Sequence, residues 1–280
     1  MKEFEITTLN GYPIALTVFE ANSPKQVLII APATGVKQSF YKKFASYLAG
    51  NHITVITFDY FGIGKSLKQP IKTISVNAAS WGQNDLEAVI LYTKTNFSNL
   101  PLTLLGHSIG GQLIGLAPSS VVAEKIILVA AQSGYWRFWK GTGRIKMWGN
   151  WHLLFPLLTT VFGYMPSKKF SGMENLPRHV AMQWQKWCLS PFYFFGDTSV
   201  TNFQFLHINA RIMAISIEDD AFAPKQAVDW LSNKFTKSMV TKTQLNPTDF
   251  QLTKIGHFGV FKEAMKEPFW GHLLGFLSEY

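Results

Sequence analysis

Gly106-His107-Ser108-Ile109-Gly110 sets one serine between two glycines near the middle of this 280-residue chain. A serine with glycine two residues before it and two after it suits a strand that bends sharply into a helix, because a Cβ at either flank would crowd the bend and bury the hydroxyl. Five residues are too few to settle the matter, but their surroundings agree. Pro101-Leu102-Thr103-Leu104-Leu105 reads as an apolar strand directly before the motif, and Gly110-Gly111-Gln112-Leu113-Ile114-Gly115-Leu116 as a helix directly after it. Strand, turn and helix in that order predict an exposed Ser108 hydroxyl at the end of a strand.

Outward from this point the chain alternates. Apolar runs at residues 27–31, 53–58, 102–105 and 126–130 are bounded by turn residues and separated by helical patterns at 39–49, 84–94 and 110–116. Short runs without polar alternation fit strands buried on both faces, and strand–helix alternation implies a parallel sheet. Upstream, strands at 4–10 and 12–20 flank Asn10-Gly11, a strong hairpin signal. Downstream come a strand at 211–217, a helix near 226–234 and a closing amphipathic helix at 270–277. The expectation is an α/β fold: a mostly parallel central sheet of about eight strands, with helices on both faces.

The alternation stops between the sixth and the next strand. Residues 135–206 are rich in aromatics and hold six of the nine tryptophans, with Trp136 and Trp139, and Trp184 and Trp187, at helical spacing. We expect a helical cap inserted there, with residues 1–134 and 207–280 forming the core domain. The segment carries eight Lys/Arg against two Asp/Glu, so about six of the nine net positive charges fall in it.

Composition narrows the function. A 47% hydrophobic and 15% charged chain is a well-buried globular protein. The single cysteine, Cys188, forms no internal disulfide, and the opening Met-Lys-Glu-Phe-Glu-Ile-Thr-Thr has no apolar leader, so a cytoplasmic location is expected. No apolar run reaches the ~18 residues that a membrane span needs. The lysines are mostly scattered, with Lys168-Lys169 and Lys42-Lys43 the adjacent pairs, which argues against a nucleic-acid partner. No Cys/His spacing suggests zinc, and no metal or cofactor is expected.

The serine motif, together with Asp59-Tyr60-Phe61-Gly62-Ile63-Gly64-Lys65-Ser66 after the fourth strand, resembles the α/β-hydrolase superfamily. Within it the chain looks most like a bacterial branch marked by Pro32-Ala33-Thr34-Gly35-Val36 followed by Phe40-Tyr41, for which no particular substrate is implied. The resemblance implies a serine hydrolase in which Ser108 is the nucleophile, an acid follows a later strand and a histidine follows the acid. Glu218-Asp219-Asp220-Ala221-Phe222-Ala223-Pro224 and Gly256-His257-Phe258-Gly259 meet that order. Asp220 is preferred to Asp219 because in similar chains the acid stands four residues before the proline. Ser108, Asp220 and His257 are thus the expected triad; His107 is expected to be a packed neighbour.

An oxyanion requires two backbone N–H donors, one from the residue after the nucleophile and one from the loop after the third strand. Ile109 and Ala33 are the candidates, with Thr34 as substitute, since Pro32 has no N–H to give. Asp59 suits a structural turn better than a catalytic role, and Gly64-Lys65-Ser66 lacks the first glycine of a phosphate loop.

The expected activity is hydrolysis of a carboxylic ester or thioester with an apolar acyl part, through an acyl-enzyme at Ser108. The rivals are acyl transfer or C–C bond hydrolysis on the same residues, and a ligand-binding or membrane-docking protein that keeps the fold without the chemistry. Peptidase activity has no residue that points to it, and dehalogenation would need a carboxylate at position 108. Trp136, Trp139, Trp184 and Trp187 are candidates to line an acyl pocket, and the basic segment to touch an anionic membrane surface; oligomeric state has no sequence signal.

Overall fold

The computed structural model describes residues 1–279. Its strands are β1 (Lys2–Thr7), β2 (Pro13–Phe19), β3 (Gln26–Ala31), β4 (Ile53–Phe58), β5 (Leu102–His107), β6 (Lys125–Val129), β7 (Tyr164–Met165), β8 (Leu176–Pro177), β9 (Arg211–Ile217) and β10 (Met239–Leu245). Eight of them form the central sheet, in the order β1-β2-β4-β3-β5-β6-β9-β10. The two short strands β7 and β8 form a separate antiparallel pair. β2 runs antiparallel to both β1 and β4, and every other pairing in the large sheet is parallel.

The uninterrupted apolar runs have a direct cause. Alternate side chains of one strand enter different cores: Val27 and Ile29 lie in one, Leu28 and Ile30 in the other, and β6 divides in the same way between Ile126 and Ile127. The helices Lys42–Ala49 and Gly271–Ser278 cover one face, while Glu87–Asn96 and Ile109–Ile114 cover the other. With both faces covered, the central strands β3, β4, β5, β6 and β9 are buried along their length, apart from Lys125 and Arg211 at the starts of β6 and β9.

β10 is the exception. Its sequence, Met-Val-Thr-Lys-Thr-Gln-Leu, is mostly exposed because it closes the sheet at an edge, so it carries no apolar run for a sequence reading to find.

Between β6 and β9 lie the helices Gly141–Gly149, Phe155–Phe162 and Arg178–Leu189, the small β7–β8 pair and several tight turns. Trp151, Phe155, Val180, Trp187 and Phe194 of this segment belong to the same apolar cluster as Leu113 of the helix Ile109–Ile114 and Ile126 of β6. The segment also lies against the loops after β3 and β4. Glu174 donates its N–H to the Gly35 carbonyl at 2.7 Å, and a Cβ on Gly62 would stand 2.7 Å from the Pro177 ring.

Candidate active site

Parallel strands end on one edge of a sheet, and side chains from the loops after them converge there. Ser108 follows β5, Asp220 follows β9, and His257 follows β10 in the short helix Gly256–Gly259. All three are buried.

Ser108 has φ 53° and ψ −118°, a left-handed conformation that costs a non-glycine residue about 1–3 kcal/mol. The backbone around it enforces this. Ser108 N–H donates to Val129 O of β6 at 2.9 Å, and the flanking glycines leave no room for anything larger. A Cβ at Gly106 would stand 2.2 Å from Gly111 Cα, and one at Gly110 would stand 2.0 Å from the Ala31 carbonyl oxygen. The spacing of the motif is therefore a packing requirement of the bend against β3 and against its own helix.

His257 Nδ1 lies 2.7 Å from Asp220 Oδ2. The other oxygen, Asp220 Oδ1, accepts the N–H groups of Phe222 at 2.7 Å and Ala223 at 3.1 Å, so the carboxylate is fixed on both sides. Asp219 faces elsewhere and accepts from Ile255 N–H at 3.1 Å and Gly256 N–H at 3.0 Å. One aspartate orients the imidazole and its neighbour anchors the loop that carries it.

His107, immediately before Ser108, ties the parts together. Its Nε2 lies 3.0 Å from the His257 carbonyl oxygen, and its Nδ1 lies 2.9 Å from the Tyr41 hydroxyl. Burial, with His257 close by, pushes the His107 imidazole well below its ordinary range, so it is neutral. Among the described residues no hydrogen bond joins Ser108 Oγ to His257; the loop that carries His257 is tied to the Ser108 bend through His107, whose ring centroid lies 5.0 Å from that of His257.

The donor expected at Ala33 is corrected by the structure. Ala33 N–H donates to the Tyr41 hydroxyl at 3.0 Å, which removes it from any bound oxygen. Thr34, the substitute, has a buried hydroxyl without a partner, and its backbone N–H carries no hydrogen bond among the described residues. Ile109 opens the helix Ile109–Ile114, where the first N–H groups have no intrahelical acceptor.

The four tryptophans fall in different surroundings. Trp187 is fully buried and donates Nε1–H to Asp197 Oδ2 at 2.8 Å, so its expected place in a pocket wall is corrected: it is a packing residue. Burial, which raises the Asp197 pKa, is outweighed by hydrogen bonds from Lys186, Trp187 and Ser199, and this carboxyl titrates below its ordinary range. Trp139 is buried and donates to Ala221 O at 2.8 Å, bracing the loop that carries Asp220. Trp136 is half-buried in a single tight turn, Trp136–Phe138, so its spacing to Trp139 is not helical. Trp184 meets Trp151 and Phe155 edge-on and has a buried Nε1–H without a partner.

Two residues beside the site have no signal in the sequence. The ring of Phe222, which is 53% exposed, lies 5.5 Å from that of His257, and Phe258 stands edge-on to His257 at 5.0 Å.

Asp59 holds the turn after β4. It accepts N–H bonds from Gln38 at 2.7 Å and Lys65 at 2.8 Å, and a Cβ on Gly64 would strike its carboxylate at 2.5 Å. The Lys65 ammonium pairs with Glu3. Among the described residues no group of three or more His, Cys, Asp or Glu is placed to hold a metal ion.

An eight-stranded, mostly parallel sheet with a strained serine at the end of β5 is the α/β-hydrolase arrangement. The family model for serine aminopeptidase, S33, matches residues 22–173, more than half of the chain, and the protein belongs to that family of hydrolases. No curated protein matches the sequence.

Solved structures resemble it in fold. A serine hydrolase without a lid from Xanthomonas campestris covers 100% of this chain and 96% of its own at 15% identity and a TM-score of 0.56. An esterase from Exiguobacterium antarcticum covers 98% and 99% at 16% identity and a TM-score of 0.59. A thermostable carboxyl esterase from Bacillus coagulans covers 99% and 97% at 13% identity and a TM-score of 0.62.

Proposed function

We propose that this hydrolase cleaves a carboxylic ester or thioester with an apolar acyl part, through an acyl-enzyme on Ser108. The observation that carries the reading is the convergence of a strained serine with the 2.7 Å Asp220–His257 pair at one edge of the sheet. His257 Nε2 takes the Ser108 proton as Oγ attacks the acyl carbon; Asp220 keeps the proton on Nδ1 and steadies the imidazolium. The tetrahedral oxygen is held by the N–H groups of Ile109 and Thr34. His257 then protonates the leaving alcohol or thiol, and deprotonates the water that releases the acid.

An apolar acyl part suits the aromatic rings of Phe222 and Phe258 around His257. A substrate with a free ammonium group would call for an uncommitted carboxylate, and Asp219 and Asp220 are both engaged. Residues 135–206 serve in this reading as a cap over the sheet edge, resting on the loops after β3 and β4.

The test is labelling with a fluorophosphonate and mapping of the modified residue, beside turnover of short p-nitrophenyl esters. Label on Ser108, and a loss on the order of 10⁶ in kcat for Ser108→Ala, are the expected results. Retained turnover in that variant overturns the assignment.

A further inference from the structure

The region from Gly141 to Phe162 is a continuous helical run, with the helices Gly141–Gly149 and Phe155–Phe162 joined by a wider turn at Asn150–Leu154. Its buried residues are Met147, Trp151, Phe155 and Thr159, each four positions after the last. In a regular helix such a row drifts by about 40° per step; the wider turn takes up the drift and keeps the row facing the protein.

The opposite side of the run is apolar and uncovered. Leu153, Leu157 and Val161 recur at four-residue spacing and are 59%, 61% and 67% exposed, and Ile145, two turns earlier, is 72% exposed. Trp148 and Leu154 widen the stripe at 42% and 43% exposed. Isolated exposed apolar residues need no explanation, but a stripe of six along one helical run marks a docking surface.

Charge selects what docks there. Between residues 135 and 173 the chain has no Asp or Glu, while Lys140 and Lys146 stand exposed near one end of the stripe and Lys168 and Lys169 near the other. A second copy of the chain, seated stripe to stripe, would bring Lys140, Lys146 and Lys169 of the two copies together, and Glu174, the next acid along the chain, is already paired with Lys168 and Lys37. A surface that is apolar within and negative at its face meets both features, and an apolar helical face rimmed by lysines is the physical signature of a helix lying in a lipid interface. Among the described residues no helix is long and apolar enough to cross a membrane, so the contact is superficial.

We propose that the Ile145–Leu153–Leu157–Val161 face, with Lys140 and Lys146 at its rim, docks on an anionic lipid bilayer. The inference does not depend on the esterase reading, since binding is measured without turnover.

The experiment is sedimentation of the full chain with phosphatidylcholine vesicles, with and without phosphatidylglycerol, at low and high salt. Partition into the phosphatidylglycerol vesicles is expected and partition into the neutral ones is not. Leu153→Ser/Leu157→Ser/Val161→Ser should lower the partition at least about tenfold, and Lys140→Gln/Lys146→Gln by roughly tenfold at low salt and far less at high salt. All five positions are exposed, and unchanged thermal melts check that both variants fold; the lysine variant tests the proposal on its own if the serine variant melts early. Equal binding to neutral vesicles, absence of binding to anionic ones, or a partition untouched by the substitutions overturns the proposal. So does a dimer mass by light scattering without lipid that reverts to monomer in the serine variant, which would give the stripe to a second copy.

Discussion

The Tyr41 hydroxyl donates to His107 Nδ1 at 2.9 Å, and the direction of that bond follows from what surrounds it. His107 Nε2 faces the His257 carbonyl oxygen, which only accepts, so Nε2 carries the ring proton and Nδ1 is a bare lone pair. Tyr41 must then give its proton to Nδ1 and accept the Ala33 N–H on its own oxygen. One hydroxyl thus connects the loop after β3 to the Ser108 bend and, through His107, to the loop carrying His257.

Tyr41→Phe therefore leaves two buried groups unpaired, Ala33 N–H and His107 Nδ1. Each unpaired buried group costs about 1–3 kcal/mol, so urea denaturation should show a loss of that order or somewhat more. If the proposed reaction holds, ester turnover should fall mainly in kcat, because the shift is in the position of the loops carrying Ser108 and His257 and not in the contacts to substrate. An unchanged midpoint and kcat would show that the chain of bonds has no structural weight.

The adjacent aspartates separate by role. Asp220→Asn keeps the shape but cannot hold a proton on His257 Nδ1 in the same way, and a loss on the order of 10⁴ in kcat is expected. Asp219→Asn keeps an oxygen for the Ile255 or Gly256 N–H and does not touch the imidazole, so kcat should fall less than about tenfold while stability drops by roughly 1 kcal/mol. Comparable kcat losses in the two variants would contradict the division.

Only part of that division is legible in the amino-acid sequence. The order serine, acid, histidine shows there, and so do the strands before Ser108 and Asp220, because buried parallel strands are apolar on both faces. The acid's choice of oxygen partners does not show, since the bonds from Phe222 and Ala223 to Asp220, and from Ile255 and Gly256 to Asp219, arise only once two loops meet. Ala33 is misassigned for the same reason: the hydroxyl that takes its N–H comes from Tyr41, at the start of the next helix, and nothing in Pro32-Ala33-Thr34 announces it. β10 escapes because edge exposure removes its apolar pattern. Trp136 and Trp139 have helical spacing without a helix, since two residues do not define a period.

Stability should carry a pH signature from Asp85. Burial pushes this carboxyl up from 3.8 to about 7, against the hydrogen bonds it accepts from Phe61 N–H at 2.8 Å and the Tyr12 hydroxyl at 2.7 Å. The folded state then binds more protons than the unfolded one between pH ~4 and ~7, so this group's contribution is full below its unfolded value and is lost as pH rises through the folded one. Asp85→Asn has no such titration and can keep both contacts, accepting from Phe61 and donating to the Tyr12 oxygen. The difference in unfolding free energy between the Asp85→Asn variant and the parent is read by urea denaturation at pH ~4.5, ~6 and ~8, on a scale of about 1.4 kcal/mol per pKa unit. It should move in favour of the variant as pH rises. A difference that is flat with pH would mean that Asp85 is ionised throughout.

The left-handed bend at Ser108 stores strain, and two substitutions separate that strain from the proposed chemistry. Ser108→Ala removes the hydroxyl but keeps a Cβ at φ 53°, so turnover is lost while stability stays near that of the parent. Ser108→Gly also removes the Cβ, and glycine adopts this conformation without steric cost; the ~1–3 kcal/mol released outweighs the ~0.4–1 kcal/mol by which glycine favours the unfolded chain. The glycine variant should accordingly be inactive and melt above both the parent and the alanine variant, a rise of a few degrees for a chain of this size. If glycine melts below alanine, the bend is held by its packing against Val129 and Ala31 with no strain left at the serine, and the left-handed φ is the relaxed state of that turn.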